Sequence, residues 1–599
     1  MRSVAGLAGH RGWWRSLRTP GGRVCAGLVG AVLLAGCASV PSGSQVIGGR
    51  ATGHQQPIDD PYVRVIPVGP GRDWDPGTMV TAFQAASGSF DGQNGEHKVA
   101  REYLACGGCW RPGVSTIVYD HVEQTAVQRD GDTASVTDKV FQLGRIGTDG
   151  QYIADPHTID QDYRLRQDAQ KQWRITQLPQ ELLLSRNDVN RAFRTLDLYF
   201  FAPDSQVLVP NPVYIPLVNR TWLSEQLVKQ LLGGPTSWLR GAAVRSGFPP
   251  RTQLRRLEIT GGVATVDLSR QARTGDLRNM SIQLMWTLRQ LREVDQLKLE
   301  IDGKAIRVPG LNSTVQSAGA WSSFDPNGTS ELARGYVRTA DDRLARLDTT
   351  TQVLLPKLRV SHPAISYDAR QVAALDKPGN TVTVTDLSNG TPRAVLNAKL
   401  KGGRFSTPSW DSRGNVWAVE SNAKESRLWE IEGGTKNLAV DSWTFAAHPV
   451  KALRISRDGT RAAAIVQVGN IAEVQLGRVD PAPSPSGGLQ AEGFIAISSE
   501  LEGAIDLAWR DADHLAVLTL TQGNPSPVLY DVPVSGAPIQ PLVGPGGDMK
   551  AVAAYPGAPL LVTQHVSSNP QSLDNVCWLS DKYGEWKCFP RTSDPAYPG

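Results

Sequence analysis

The sequence predicts a multidomain chain in which two mixed α and β regions precede an all-β propeller. Three observations carry that reading. Between residues 61 and 190 helical spacing gives way to strands, and between 195 and 310 two strand–helix–strand passes follow one another. Beyond residue 318 only short strands and turns remain, and one pattern returns at intervals of 43, 47 and 53 residues. A chain of 599 residues is also too long for a single core.

The amino-terminal segment carries Arg2, Arg11, Arg15, Arg18 and Arg23 and no acid, then an apolar run from Val24 to Gly36. A basic opening, a short apolar stretch and small residues at its end describe a secretory signal. The run is too short to span a bilayer, which needs about 20 apolar residues. It ends in Leu34-Ala35-Gly36-Cys37, which resembles the lipobox of bacterial lipoproteins. That resemblance implies lipidation of Cys37, removal of residues 1–36, and a protein held by acyl chains on the extracytoplasmic face of the cell membrane. Each buried methylene contributes about 0.8 kcal/mol, so two chains anchor stably. Residues 37–60 follow as a tether rich in Ser, Gly, Gln and Pro, a composition that behaves as a flexible coil.

The whole chain has a formal charge of +4, from 62 Lys and Arg against 58 Asp and Glu. Removing residues 1–36 takes away five arginines and leaves 57 basic against 58 acidic side chains. Such a balance offers no basic face for nucleic acid. Apart from Cys25 in the signal and Cys37, the cysteines form two pairs by sequence. Cys577 and Cys588 flank Tyr583-Gly584, so a hairpin there would bring them together as a disulfide. Cys106-Gly107-Gly108-Cys109 is a C-x-x-C, which in a redox protein would open a helix after a strand. Here it follows a helical pattern and precedes Trp110-Arg111-Pro112, so a structural disulfide across the Gly-Gly turn is the reading.

In region 61–190, Met79, Val80, Phe83 and Ala86 share one helical face after Asp75-Pro76, and a second short helix covers about 97–104. Strands are predicted at Thr116–Tyr119, Thr133–Leu143, Tyr163–Leu165 and Trp173–Ile175. Helices and then an antiparallel sheet make an α+β domain, and the order resembles the NTF2-like cone. Asp155, His157 and Asp160 are placed in a polar loop before a strand, not in a metal or acid–base site.

Region 195–310 contains an amphipathic helix from Trp222 to Leu232, stopped by Gly233-Gly234-Pro235. Strands at about 254–259 and at Val263–Leu268, a helix over about 279–293 and a strand through Leu297, Leu299 and Ile301 complete a small α/β unit. Leu231–Pro235, Gly262–Ser269 and Gln283–Glu293 resemble the GerMN-type sporulation and germination domain, a family of envelope scaffolds. Asp267 and Ser269 sit where a strand ends, which suits backbone capping.

From 318 to 590 the recurring pattern is strand, turn at an aspartate, strand, with Asp368, Asp411, Asp458 and Asp511 aligned. A period of about 40–50 residues with several strands per unit predicts a β-propeller of about six blades. The long last interval holds Pro481–Gly488, an insertion that would loop out of a blade. The aspartates are assigned to turns, and His362-Pro363 and His448-Pro449 to positions between blades.

No G-x-S-x-G elbow, H-E-x-x-H pair or P-loop occurs. The chain is therefore read without catalytic residues, cofactor or metal. The order of lipobox, NTF2-like region, GerMN-type domain and propeller resembles the actinobacterial LpqB lipoprotein family. That resemblance implies an accessory that contacts the extracellular domain of the sensor histidine kinase MtrB and influences signalling to the regulator MtrA, with effects on cell-wall homeostasis and division. The residues alone leave open an envelope protein binding a glycan or small molecule, or an envelope hydrolase.

Overall fold

Asp75 caps the first helix, α1 (Pro76–Ser87), by accepting from the amides of Gly77 and Thr78, and Pro76 supplies a preset first-turn φ. This is the first helix of the computed structural model, which describes residues 66–599 apart from 93, 204, 329–332, 349, 481–488, 522, 524, 525, 567–573 and 581–584. Cys37, the tether 37–60, the insertion Pro481–Gly488 and the turn residues Tyr583 and Gly584 lie outside the described residues.

The apolar stripe of α1 packs on a sheet of β1 (Thr116–Asp130), β2 (Thr133–Ile146), β3 (Tyr152–Gln167), β4 (Trp173–Gln177) and β5 (Leu182–Ser185), in the order β4-β3-β2-β1-β5. A short α2 (Lys98–Arg101) lies beside α1. Two expectations need correction. The sheet is mixed, because β5 returns parallel to β1. Asp155, His157 and Asp160 are not in a loop but within β3, where His157 faces Gln142 and Asp160 faces Lys139. The long β2–β3 ladder holds this polar stretch extended although it buries little apolar surface.

The helix α3 (Arg186–Ala192) leads into the second domain. There β6 (Phe193–Phe201) and β7 (Leu208–Pro216) form a buried hairpin, and α4 (Arg220–Gly233) follows. The strands β8 (Leu254–Thr260), β9 (Val263–Leu268) and β10 (Gln296–Ile301) make a sheet in which α5 (Leu277–Leu288) crosses between the parallel pair β9 and β10. The second helix therefore ends five residues before the predicted Glu293. The row of β6 backbone groups that β7 does not pair is satisfied by side chains of this helix and its C-terminal turn. Gln283 donates to the Tyr199 carbonyl at 2.6 Å, Thr287 accepts from the Tyr199 amide at 3.3 Å, and Gln290 accepts from and donates to Asp197 backbone groups at 2.8 Å each. A strand edge that would otherwise invite another chain is thus covered from within.

Six sheets follow, each with four strands counted from axis to rim, and their innermost strands touch in a closed ring. Blade 2 runs Ser361–Ile365, Gln371–Leu375, Thr381–Asp386 and Pro392–Asn397, and blades 3 to 6 repeat that order from Arg404, Val450, Ala504 and Asp548. In blade 3 the inner strand is split into Arg404–Phe405 and Ser409–Trp410. Blade 1 is composite. Tyr336–Thr339, Leu344–Leu347 and Thr351–Val353 supply its outer three strands, and Thr592–Ala596 supplies the innermost one. The propeller therefore does not stop at residue 590; the last strand closes the ring. Inner strands are also stitched laterally: Trp410 Nε1 donates to the Ala364 carbonyl at 2.9 Å and Trp509 Nε1 to the Arg454 carbonyl at 3.0 Å.

The domains pack on one another. One apolar cluster runs from β6, β7 and α5 into Ala463, Ile465 and Leu476 of blade 4 and Leu507 of blade 5. Arg478 donates to the Trp238 carbonyl at 2.8 Å, the Ala512 amide donates to Asn327 at 2.7 Å, and Arg186 pairs with Glu500.

Candidate functional site

Each repeated aspartate closes the corner between the first two strands of its blade. Asp368 accepts from the Arg370 amide at 3.1 Å, Asp411 from the amides of Arg413 and Asn415 at 2.9 Å, and Asp458 from the Thr460 amide at 2.9 Å. Asp511 accepts from the amides of Asp513 at 3.0 Å and His514 at 2.7 Å. These are turn bonds. The corner of blade 6, at Ala554-Tyr555-Pro556-Gly557, lacks an aspartate, and blade 1 has no such corner because its two inner strands come from opposite ends of the propeller sequence; the same four residue types recur at Ala596-Tyr597-Pro598-Gly599, directly after the inner strand of blade 1. That repeated tetrapeptide was the available signal.

The corners converge on a cavity of about 90 Å³ at the propeller axis, whose lining includes Leu208 of the preceding domain and Pro326 of the segment that joins it to the propeller. Arg461 and Asp458 form a buried pair there, with side chains 1% and 4% exposed and Nε 3.0 Å from Oδ2. Burial alone would raise the Asp458 carboxyl, yet the Arg461 guanidinium and three hydrogen-bond donors hold it below the usual carboxylate range. Arg454 pairs with Asp506 at 3.0 Å; burial dominates at Asp506 and pushes its carboxyl up in spite of the pairing.

Beside the axis, Asp511, Asp513 and His514 bring three ligating atoms within 4.8 Å of one another. His514 Nδ1 lies 3.2 Å from Asp511 and 3.3 Å from Asp513. Burial works against a charged ring, but the two carboxylates overcome it and raise His514 to about 11, while Asp513 is pulled down to about 2. The imidazolium held between two carboxylates ties the three side chains to one another.

The first domain has a different feature. β5 pairs with β1 only from Thr116 to Tyr119, which leaves residues 120–130 of β1 as an exposed outer edge. Gly131-Asp132 is a two-residue turn, so Asp130 and Thr133 close the hairpin as a hydrogen-bonded pair and the amides of Thr125, Val127 and Arg129 point away from β2. No described residue bonds them on that side. A second cavity, of about 260 Å³, lies between this domain and α4, lined by Phe90, His97, Arg101, Phe193, Tyr214 and Trp222. His97 is buried with Nδ1 3.0 Å from the Ser89 carbonyl, and burial drives its pKa down to about 4.

The remaining predicted residues have structural surroundings. Cys106 is joined to Cys109 through a 3-10 turn, and Cys577 to Cys588 across directly facing antiparallel strands. Asp267 accepts from the Gly303 amide at 2.9 Å and Ser269 from the Gln253 amide at 3.0 Å. His157 lies at the surface beside Asp155, and Asp160 stands three residues further along the same strand. His362 and His448 stand at the entry to the inner strands of blades 2 and 4. Among the described residues no helix is long and apolar enough to cross a membrane.

Comparison with known proteins matches each region. Residues 69–190 match the lipoprotein LpqB N-terminal domain, 197–307 the sporulation and spore germination domain, and 336–598 the lipoprotein LpqB beta-propeller domain. Lipoprotein LpqB of Thermobifida fusca is 33% identical over 95% of this chain and 97% of its own. The Streptomyces avermitilis and Mycobacterium tuberculosis proteins of that name are each 27% identical, over 95% and 88% of this chain and 97% and 91% of theirs. Among solved structures, TolB of Acinetobacter baumannii is 15% identical with a TM-score of 0.36, covering 47% of this chain and 70% of its own. The first GerMN domain of GerM from Bacillus subtilis is 24% identical with a TM-score of 0.18, covering 21% of this chain and 97% of its own. With all three regions matched in order and one relative aligned across nearly its whole length, the chain belongs to the lipoprotein LpqB family.

Proposed function

We propose that this protein is a non-enzymatic, lipid-anchored accessory on the extracytoplasmic face of the membrane, binding the extracellular domain of an MtrB-like sensor histidine kinase. It would thereby bias signalling in envelope homeostasis and division. Family membership supports the lipoprotein reading, and the open edge of β1 supports a protein partner. An edge with three outward amides accepts a strand from another chain by sheet extension. Its charged residues, among them Asp120, Glu123, Arg129 and Asp130, hinder indiscriminate pairing and leave room for a complementary strand.

The test is Val127→Pro, which removes one outward amide without taking a hydrogen bond from the β1–β2 ladder. Binding of the purified kinase domain should fall at least tenfold, with circular dichroism unchanged. Unchanged binding would remove β1 from the interface, and absence of any complex with the parent protein would reject the kinase reading. Glycan bound at the His97 cavity, without a protein partner, would favour a carrier instead.

A further inference from the structure

The axial cavity holds one arginine side chain that no other side chain pairs. Three arginines line it, and two are matched: Arg454 by Asp506 and Arg461 by Asp458. The aspartate at the next corner, Asp511, is engaged by His514. Arg457 has no ion pair and no hydrogen bond among the described residues; it lies over the rings of Tyr367 and Tyr555, 5.8 Å from each centroid. Nη1 of Arg457 and Nη1 of Arg461 are both buried and unbonded. An arginine keeps its proton, and a buried N–H left without an acceptor costs free energy. Aromatic faces compensate only in part.

We propose that the propeller axis is a binding site for a small oxyanion, a carboxylate or phosphate group, held by Arg457 with Arg461 as second donor and flanked by Tyr367 and Tyr555. A guanidinium presents paired N–H groups that match two oxygens of such an anion, and a ring face on either side keeps the fork in place. The cavity accommodates more than one water-sized group, so an oxyanion fits without displacing the corner turns. The sequence carries the device in its repeat: Tyr367 and Arg457 occupy the same position, immediately before the corner aspartate, in blades 2 and 4. This inference is independent of the kinase reading.

The experiment is thermal unfolding of the full-length protein in non-ionic detergent, titrated with sodium phosphate or sodium acetate against sodium chloride at equal ionic strength. A ligand that binds only the native state raises the midpoint with concentration. The midpoint should rise by several degrees with phosphate or acetate and not with chloride, and the better of the two identifies the group preferred. Arg457→Gln should abolish the rise. Should that variant fail to fold, calorimetric titration of the unmodified protein with phosphate or acetate against chloride provides the second measurement, with a saturable heat expected for the oxyanion alone. Responses to both oxyanions no larger than to chloride, or an Arg457→Gln response equal to that of the parent, would overturn the assignment.

Discussion

Arg338 donates from Nε to the Asp594 carboxylate, 256 residues further along the chain, and from Nη1 to Asp342 at 2.8 Å. The pair sits on the seam where the propeller closes: Arg338 lies in the second strand of blade 1 and Asp594 in its innermost strand. Ring closure here joins distant segments, so the seam is where the ring should open first.

Arg338→Ala should lower unfolding stability by about 1–3 kcal/mol, because Asp594 is left mostly buried without its partner. Deleting residues 592–599 removes the inner strand and bares the edge of Tyr336–Thr339. Size-exclusion chromatography of that truncation should show aggregation, and limited proteolysis should start in blade 1. A monomer as protease-resistant as the parent would contradict the closure.

Acid should loosen the first domain. The native pKa of His97, about 4, lies below its ordinary value of 6.5, so the neutral ring belongs to the folded state. Its contribution is complete above pH 6.5 and is lost as the pH falls towards 4, a loss of up to about 3 kcal/mol. Urea unfolding followed at pH 7, 5.5 and 4 checks this. In His97→Gln the pH-dependent part of the loss should shrink accordingly.

Why some of this was legible in the sequence and some not follows from what each element buries. Met79, Val80, Phe83 and Ala86 announce α1 because a helix stripe facing a core must be apolar. Asp155 to Asp160 conceal their strand because that part of β3 is largely solvent-exposed, and its ladder bonds do not depend on residue type. The Gln283, Thr287 and Gln290 series resembles a solvated face; its actual use, covering β6, depends on a hairpin placed by tertiary packing. Four blade corners were visible through their aspartates, whereas Tyr555-Pro556-Gly557 makes the corner of blade 6 by other turn chemistry, and blade 1, built from two distant segments, has no local corner to recognise. Arg457 stood inside a recognised repeat, but only the assembled ring shows that its Nη1 is buried without an acceptor.

His514 should behave oppositely to His97. Its native pKa, about 11, is above the ordinary 6.5, so its contribution is complete below pH 6.5 and is lost as the pH rises through 11. The three side chains are partly solvent-exposed, which reduces the effect to about 1–2 kcal/mol at pH 7. The stability difference between the parent and His514→Gln, measured by urea unfolding from pH 6 to 10, should narrow with rising pH. A difference that widens would contradict the imidazolium.

Under the proposed function the anchored protein shifts the signalling of a membrane partner. Tethering raises the local concentration of two membrane-held proteins, so weak intrinsic affinity suffices, and an effector moves a two-state kinase only by preferring one state. The most direct measurement is kinase autophosphorylation in vesicles holding the sensor kinase with the lipidated protein, with a soluble form beginning at Ala38 at equal abundance, or with neither. The rate should change with the lipidated protein and hardly at all with the soluble form; identical rates in all three, with no complex captured by crosslinking, would rule out signalling through this protein.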